Sequence, residues 1–176
     1  ISEHGVTLRA EDAAAPALTA DAWRLLAFYS WEIDEGQLVP KKELASTLQQ
    51  LALKCPPELK DSAARLMLKA TAVAAQEKSA GPDKAQVIAA AQSVLADAAR
   101  ARENADIVAY YGNDIIALVT AQGSAERTSL LTAWNAALDR LAMDATLSKA
   151  DQLGAAQAKV MLTEIDGPAD PKAPRD

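Results

Sequence analysis

The chain has 176 residues and a formal net charge of -6, and aromatic residues occupy only 4% of its positions. A duplex-binding protein needs a stripe of basic residues to displace counterions from phosphates, and here Lys and Arg are scattered, so we exclude nucleic acid as a partner. No run of about 18 apolar residues is free of charge, so no transmembrane helix is predicted.

Alanine fills close to a quarter of the chain, whereas the β-branched and aromatic residues that favour strands are scarce. Alanine is the best helix former, because it loses no side-chain entropy and buries no polar group. The composition therefore predicts an all-α fold. We expect one helical domain over residues 19–166, a flexible N-terminal arm over residues 1–18 and a polar, Pro-rich tail over residues 167–176.

The first two helices are predicted from capping residues and breakers. Thr19 to Asp21 suits a helix start, and Gly36 suits a helix end. Pro40 suits the first turn of the next helix, which ends at Cys55-Pro56-Pro57. Its predicted core positions are Leu44, Leu48 and Leu51.

The residue pattern in the middle of the chain predicts a helix with one buried face and then a long helix. The spacing of apolar residues from Leu59 to Val73 predicts a third helix, with Asp61, Arg65 and Lys69 on another face at i,i+4 spacing. The helical pattern then runs from Asp83 with no breaker until Gly112, so we predict a bend or break between Arg102 and Gly112.

Two further helices complete a predicted set of six. Ser124 is the expected cap of the first, and Ser148 with Asp151 resembles a capping box for the last, which runs to Ile165. The apolar positions of these helices are Leu130, Leu131, Trp134, Ala137, Leu138 and Leu141 in the first, and Leu153, Ala156 and Val160 in the last. Short connections favour an antiparallel bundle, and a short solenoid of helix pairs is the alternative.

The solenoid alternative depends on one local resemblance. The stretch from Trp134 to Asp139 resembles the second helix of a tetratricopeptide repeat, and Leu153-Gly154 resembles the start of the following one. No 34-residue period recurs in the chain, so no family is assigned.

The residues that several kinds of catalytic and binding site require are absent from the sequence. The sole histidine is His4 in the arm, so neither Glu-x-x-His metal pairs nor a histidine-based catalytic triad is expected, and no metal or cofactor is predicted. All seven glycines are isolated, which excludes a Gly-rich phosphate loop. Cys55, at a helix start, is either a reactive or intermolecularly paired thiol or a small residue at a corner.

A group of aromatic residues provides the first candidate binding site. Since Trp and Tyr dominate binding hot spots, an exposed part of this group would anchor a partner or an apolar ligand, and otherwise the group fills a small-residue core. The group consists of Trp23, Phe28, Tyr29 and Trp31.

Polar residues inside the most apolar stretch provide the second candidate site. Asp106, Tyr110 and Asn113 recur at i, i+4 and i+7 on one helix face, and Asp114 lies close to Tyr110 and Tyr111. They would line a pocket, hold a cation or run acid–base chemistry; alternatively, they mark a kink and a new cap.

These observations predict a binding module rather than an enzyme. The expected partner is a protein or, alternatively, a small apolar or lipid-like ligand in a cavity that Tyr110, Tyr111 and Trp134 would touch. An enzyme based on the carboxylates of Asp106 and Asp114 is a third alternative. Ile1 in place of Met, the Ala/Pro-rich lead and the Pro-rich tail favour an exported bacterial protein, periplasmic or secreted.

Overall fold

A computed structural model describes residues 19–24 and 41–165, and the structural statements below concern these residues. They form helices and turns and contain no strand, which confirms the all-α prediction. The number of helices is different: nine α-helical segments occur in the described part of the chain, where six were predicted.

One short helical segment covers residues 20–24, and the other eight are labelled α1 to α8. A 3₁₀ turn over Pro57–Leu59 separates α1 from α2. The helices are α1 Lys41–Leu53, α2 Lys60–Gln76, α3 Lys84–Ala96, α4 Ala98–Glu103, α5 Ala105–Tyr110, α6 Gly112–Val119, α7 Ala125–Met143 and α8 Lys149–Ile165.

The predicted long helix is broken three times, at Asp97, Asn104 and Tyr111. Asn104 and Tyr111 lie within the predicted interval, whereas the break at Asp97 was missed. Asp97 has extended backbone angles, and its carboxylate accepts hydrogen bonds from the backbone N–H groups of Ala99 and Arg100. A short acidic side chain can compete for backbone N–H groups inside a helical pattern, and here it caps a new helix.

Each of these three breaks leaves backbone carbonyl groups without their helical N–H donors. At each break, a side chain from another helix donates a hydrogen bond to one of these carbonyl groups. Arg140 of α7 donates to Leu95 O, and Arg65 of α2 donates to Glu103 O at 2.8 Å. At the third break the indole Nε1 of Trp134 donates to Val108 O at 2.8 Å. The breaks are therefore tied into the tertiary structure.

The helices pack as a bundle, with contacts between helices that are distant in sequence, rather than as a linear solenoid. α2 packs against α1, α3 and α6, while α7 packs against α3 and α8, and α8 also packs against α5. A solenoid repeat contacts only its neighbours in sequence, so the contacts of α2 with α6 and of α3 with α7 favour the bundle. α7 and α8 run antiparallel, because Asp139 pairs with Lys159 and Gln152 reaches back to Asp144 O.

Most predicted helix starts are confirmed by side-chain caps. Thr19 Oγ1, Asp83 and Ser124 each accept a hydrogen bond from a backbone N–H three residues later. Ser148 Oγ accepts from the N–H of Asp151 at 3.1 Å and donates to its carboxylate at 2.6 Å. Leu44, Leu48 and Leu51 are all buried, as predicted.

The charged residues of the third predicted helix form ion pairs with other helices. Asp61 pairs with Arg100 at 3.3 Å, and Arg65 pairs with Asp106 at 3.0 Å, so both ion pairs link α2 to other helices. Lys69 is buried, with 6% of its surface exposed. The α4–α5 segment therefore contacts this face of α2, where Arg65 donates to Glu103 O, to Asn104 Oδ1 and to Asp106.

Some predictions lie outside the described residues: the arm, the tail, Gly36, Pro40 and the aromatic residues Phe28, Tyr29 and Trp31. Within the described part, no helix combines the length and the apolarity that crossing a bilayer requires.

Candidate functional site

The break at Tyr111 divides the predicted polar residues between two helices. Asp106 and Tyr110 belong to α5, while Asn113 and Asp114 belong to α6, so the expected single helix face is interrupted. Tyr110 is 67% exposed, whereas Gly112 after it is buried against Trp134. Two adjoining pockets open on the side of Tyr110 that faces α8.

The first, which we call the break pocket, has a volume of about 160 Å³. Most of its wall is apolar, and the exceptions are Tyr110 and Asn113. The Oδ1 atom of Asn113 is buried and has no hydrogen-bond partner among the described residues. The lining consists of Val108, Ala109, Tyr110, Gly112, Asn113, Ala158, Met161 and Leu162.

The second, which we call the acidic pocket, has a volume of about 50 Å³ and shares Ala109 and Tyr110 with the first. It contains two carboxylates. Asp106 accepts two hydrogen bonds from the Arg65 guanidinium, at 3.2 and 3.0 Å. Asp151 accepts from Ser148 Oγ. The lining consists of Ala105, Asp106, Ala109, Tyr110, Leu141, Asp151 and Ala155.

The other predicted site residues lie elsewhere. Trp134 and Trp23 are buried in the core, and Trp23 Nε1 donates to Leu51 O at 2.7 Å, so neither is a surface anchor. Tyr111 lines a different pocket beside Leu44 and Lys69. Tyr110 and Tyr111 thus line different pockets, and Trp134 lines none of these three. Asp114 does not line either pocket that contains Tyr110.

The last helix carries an exposed feature that the sequence reading missed. Its buried residues are Ala155, Ala158 and Leu162, whereas Leu153 and Val160 are 59% and 57% exposed. At 3.6 residues per turn these two sets lie roughly 180° apart, so α8 is apolar on opposite faces. The sequence could have indicated this second apolar face, because the apolar residues of α8 are distributed around the helix instead of forming one stripe.

Of the exposed apolar side chains of α8, Met161 lines the break pocket, whereas Leu153 and Val160 line neither pocket. Met161 is 56% exposed and lines the break pocket, and the Tyr110 hydroxyl lies 3.4 Å from the position that a Cβ on Gly154 would occupy. We call Leu153, Val160, Met161 and Tyr110 the outer face. Met143, at the end of the adjoining helix α7, is also 82% exposed.

The structure does not support a thiolate at Cys55. Burial, with a smaller contribution from the Glu58 carboxylate, raises the pKa of this thiol. The Sγ atom lies 3.3 Å from Pro56 O and 3.2 Å from Leu59 O, where it acts as a donor. In the described part of the chain, no group of three or more His, Cys, Asp or Glu residues is positioned to hold a metal ion.

No protein-family model, curated protein or solved structure matches this chain. The geometry of the outer face and of the two pockets is therefore the basis for inferring a function.

Proposed function

We propose that this chain is a non-catalytic helical binding module that docks a protein partner on its outer face. The observation that carries this proposal is the apolar character of α8 on two opposite faces. The inner face is accounted for by packing against α5 and α7. The outer face has no such role in the described structure, although it presents two branched aliphatic side chains and a methionine.

The physical reason is the free energy of burying these side chains. Single exposed apolar residues are common on protein surfaces, but contiguous apolar patches mark interaction sites. Burying a Val, Leu or Met side chain contributes about 1.5–3 kcal/mol, which a partner gains on docking. Tyr110 adds a large, rigid contact surface of the kind that is enriched in binding hot spots.

Pocket volume favours a protein partner over a free small ligand. The break pocket and the acidic pocket measure about 160 and 50 Å³, whereas typical small-molecule sites measure about 300–1,000 Å³. The enzyme alternative has less support, because Asp106 is held in an ion pair with Arg65 and does not share a Tyr110 pocket with Asp114.

Affinity capture with matched variants tests this proposal. The outer-face variant Leu153→Gln/Val160→Gln removes apolar surface without touching the core. Leu53→Gln is the control, because Leu53 is 49% exposed at the end of α1. We expect a protein from the source organism to be retained by the wild type and by the control, and to be lost with the outer-face variant. The same dependence must hold when that protein is purified and titrated; identical retention by all three forms would refute the proposal.

A further inference from the structure

The side of α8 that faces away from the bundle has a symmetric residue pattern. Its positions lie within an arc of about 100° around the helix. Two aliphatic residues flank a small residue and an amide, and residues of opposite charge occupy the two ends. We call this set the α8 stripe, and it consists of Lys149, Leu153, Ala156, Gln157, Val160 and Glu164.

The α8 stripe has matching residues at equal distances from its midpoint, which lies between positions 156 and 157. Leu153 and Val160 are one such pair, and Lys149 and Glu164 are the other. When two copies of a helix pack antiparallel about a two-fold axis, each residue lies opposite the one at the same distance on the other side of the midpoint. Leu153 of each copy would therefore contact Val160 of the other.

We infer that the partner docking at Leu153 and Val160 is a second copy of this chain, whose α8 packs antiparallel against the first along the α8 stripe. This inference rests on the proposed function and names the partner.

The charges at the two ends of the α8 stripe favour the antiparallel orientation. Lys149 is the first residue of α8, where the positive end of the helix dipole disfavours a cation. Antiparallel packing brings this ammonium group to the negative end of the other copy's helix, beside Glu164, whereas parallel packing would bring it against its own copy. The Lys149 Nζ atom donates to Gln152 Oε1 at 3.0 Å, and an ammonium group has further donors for a carboxylate.

The middle of the α8 stripe suits contact between two identical helices. Ala156 is exposed and small, so two helix axes can approach closely there. Gln157 is also exposed, and its carboxamide both donates and accepts hydrogen bonds. Two such carboxamides across a two-fold axis can therefore hydrogen-bond to each other, whereas a charged residue at this position would repel its own copy.

Burial of the aliphatic side chains provides the driving force, and the size of the interface limits its strength. Leu153 and Val160 are 59% and 57% exposed, and both copies contribute them. A single pair of helices provides less than the roughly 1,200 Å² that stable interfaces bury. We therefore expect a reversible dimer with a dissociation constant on the order of 100 µM.

Sedimentation equilibrium of the full chain measures this dissociation constant. We expect the wild type to dimerise as its concentration rises, and Leu153→Gln/Val160→Gln to remain monomeric up to about 1 mM. Leu53→Gln is the control, because Leu53 is 49% exposed on α1, and it should dimerise as the wild type does. Circular dichroism shows whether each variant is folded.

Charge reversal tests the antiparallel orientation. Lys149→Glu or Glu164→Lys alone should weaken the dimer about tenfold, because both end contacts become repulsive. The double variant restores opposite charges at both ends, so its dissociation constant should return to within about threefold of the wild-type value. Glu126→Lys is the control for the change in charge, since Glu126 is an exposed acid in the first turn of α7, and it should leave the dimer unchanged.

Three results would overturn the inference: a wild-type chain that is monomeric at about 1 mM, a dimer that is unaffected by Leu153→Gln/Val160→Gln, or a double charge variant that dimerises no better than the single ones. These failures are distinguishable from failure of the proposed function. A monomeric chain that captures a different protein through Leu153 and Val160 would remain a binding module, and only the second copy would be removed as its partner.

Discussion

Gly112 and Trp134 form the closest approach at the third helix break. A Cβ on Gly112 would lie 2.5 Å from the indole Nε1 of Trp134, which is itself fully buried and donates to Val108 O. The glycine is therefore required by space at this position. It lets the indole reach a carbonyl that the break leaves without a helical donor.

We predict that Gly112→Ala destabilises the protein by about 1–3 kcal/mol, because the indole must move and its hydrogen bond is strained. Gly154→Ala is the matched control. Its Cβ would meet only the hydroxyl and ring of Tyr110, at 3.4 and 3.9 Å, and Tyr110 is exposed and can shift. This control should be neutral or stabilising by up to about 1 kcal/mol, since alanine is the better helix former. Urea denaturation of both variants measures the difference, and equal stabilities would contradict the packing at Gly112.

Asp144 links the end of α7 to α4. It accepts hydrogen bonds from Thr146 Oγ1 at 2.6 Å and from Thr146 N at 2.9 Å, and it pairs with Arg102. The Thr146 hydroxyl first, then the Thr146 N–H and Arg102, lower the pKa of Asp144 to about 2. An aspartate in an unfolded chain has a pKa of about 3.9.

A pKa that is lower in the folded state stabilises the protein above the unfolded pKa. That contribution is lost as the pH falls from about 4 through about 2. We predict that the stability difference between the wild type and Asp144→Asn narrows over this interval and is constant above about pH 5. Urea unfolding at a series of pH values measures it. A stability difference between the two proteins that is independent of pH down to about pH 2 would contradict this prediction. It would show that these contacts do not stabilise the ionised carboxylate of Asp144.

At the scale of the element, α8 separates the residues that hold the fold from those that face outward. Leu162 is 3% exposed and Leu153 is 59% exposed, although both are leucines on the same helix. We predict that Leu162→Ala costs about 2–5 kcal/mol in the free energy of unfolding. Leu153→Ala should change the free energy of unfolding by no more than about 0.5 kcal/mol, because little surface is lost from the core. Thermal denaturation of both variants compares them, and a larger cost for Leu153→Ala would mean that the register of α8 is rotated.

The helical elements were predictable because their caps and apolar spacing agree locally. Asp83, Ser124 and Ser148 each cap the helix that the sequence assigned to them. The break at Asp97 was not predicted, because no glycine or proline marks it and alanines continue the helical pattern through it. Its stability comes from the Asp97 cap and from Arg140, which lies more than forty residues away.

The candidate site was predictable only in part. The sequence predicted a bend or break between Arg102 and Gly112, and a pocket lies beside the break at Tyr111. It did not reveal that α8 forms the opposite wall, since this depends on which face of α8 turns inward. Alanines at positions 155 and 158 face the core while larger residues face outward, and hydrophobicity alone ranks those residues in the opposite order.

At the level of the whole molecule, two features hold the helical bundle together: close packing of small residues, and hydrogen bonds and ion pairs of arginine side chains. Alanine on the inner faces permits close approach of helices, and Trp23, Trp134 and several leucines fill the remaining space. Arg65, Arg100 and Arg140 connect α2, α3, α4 and α7 through carboxylates and backbone carbonyls. Among the described residues, this framework fixes the pockets beside α8 without using the outer face, as the proposed docking of a partner requires.

Site-specific photocrosslinking in the source cells tests that claim most directly. A photoreactive phenylalanine analogue is placed at position 153 or 160 on the outer face, and at the exposed Gln92 of α3 as the control. We predict one discrete crosslinked protein species at both outer-face positions and its absence at position 92. The same pattern at all three positions, or no crosslinked protein at positions 153 and 160, would contradict it.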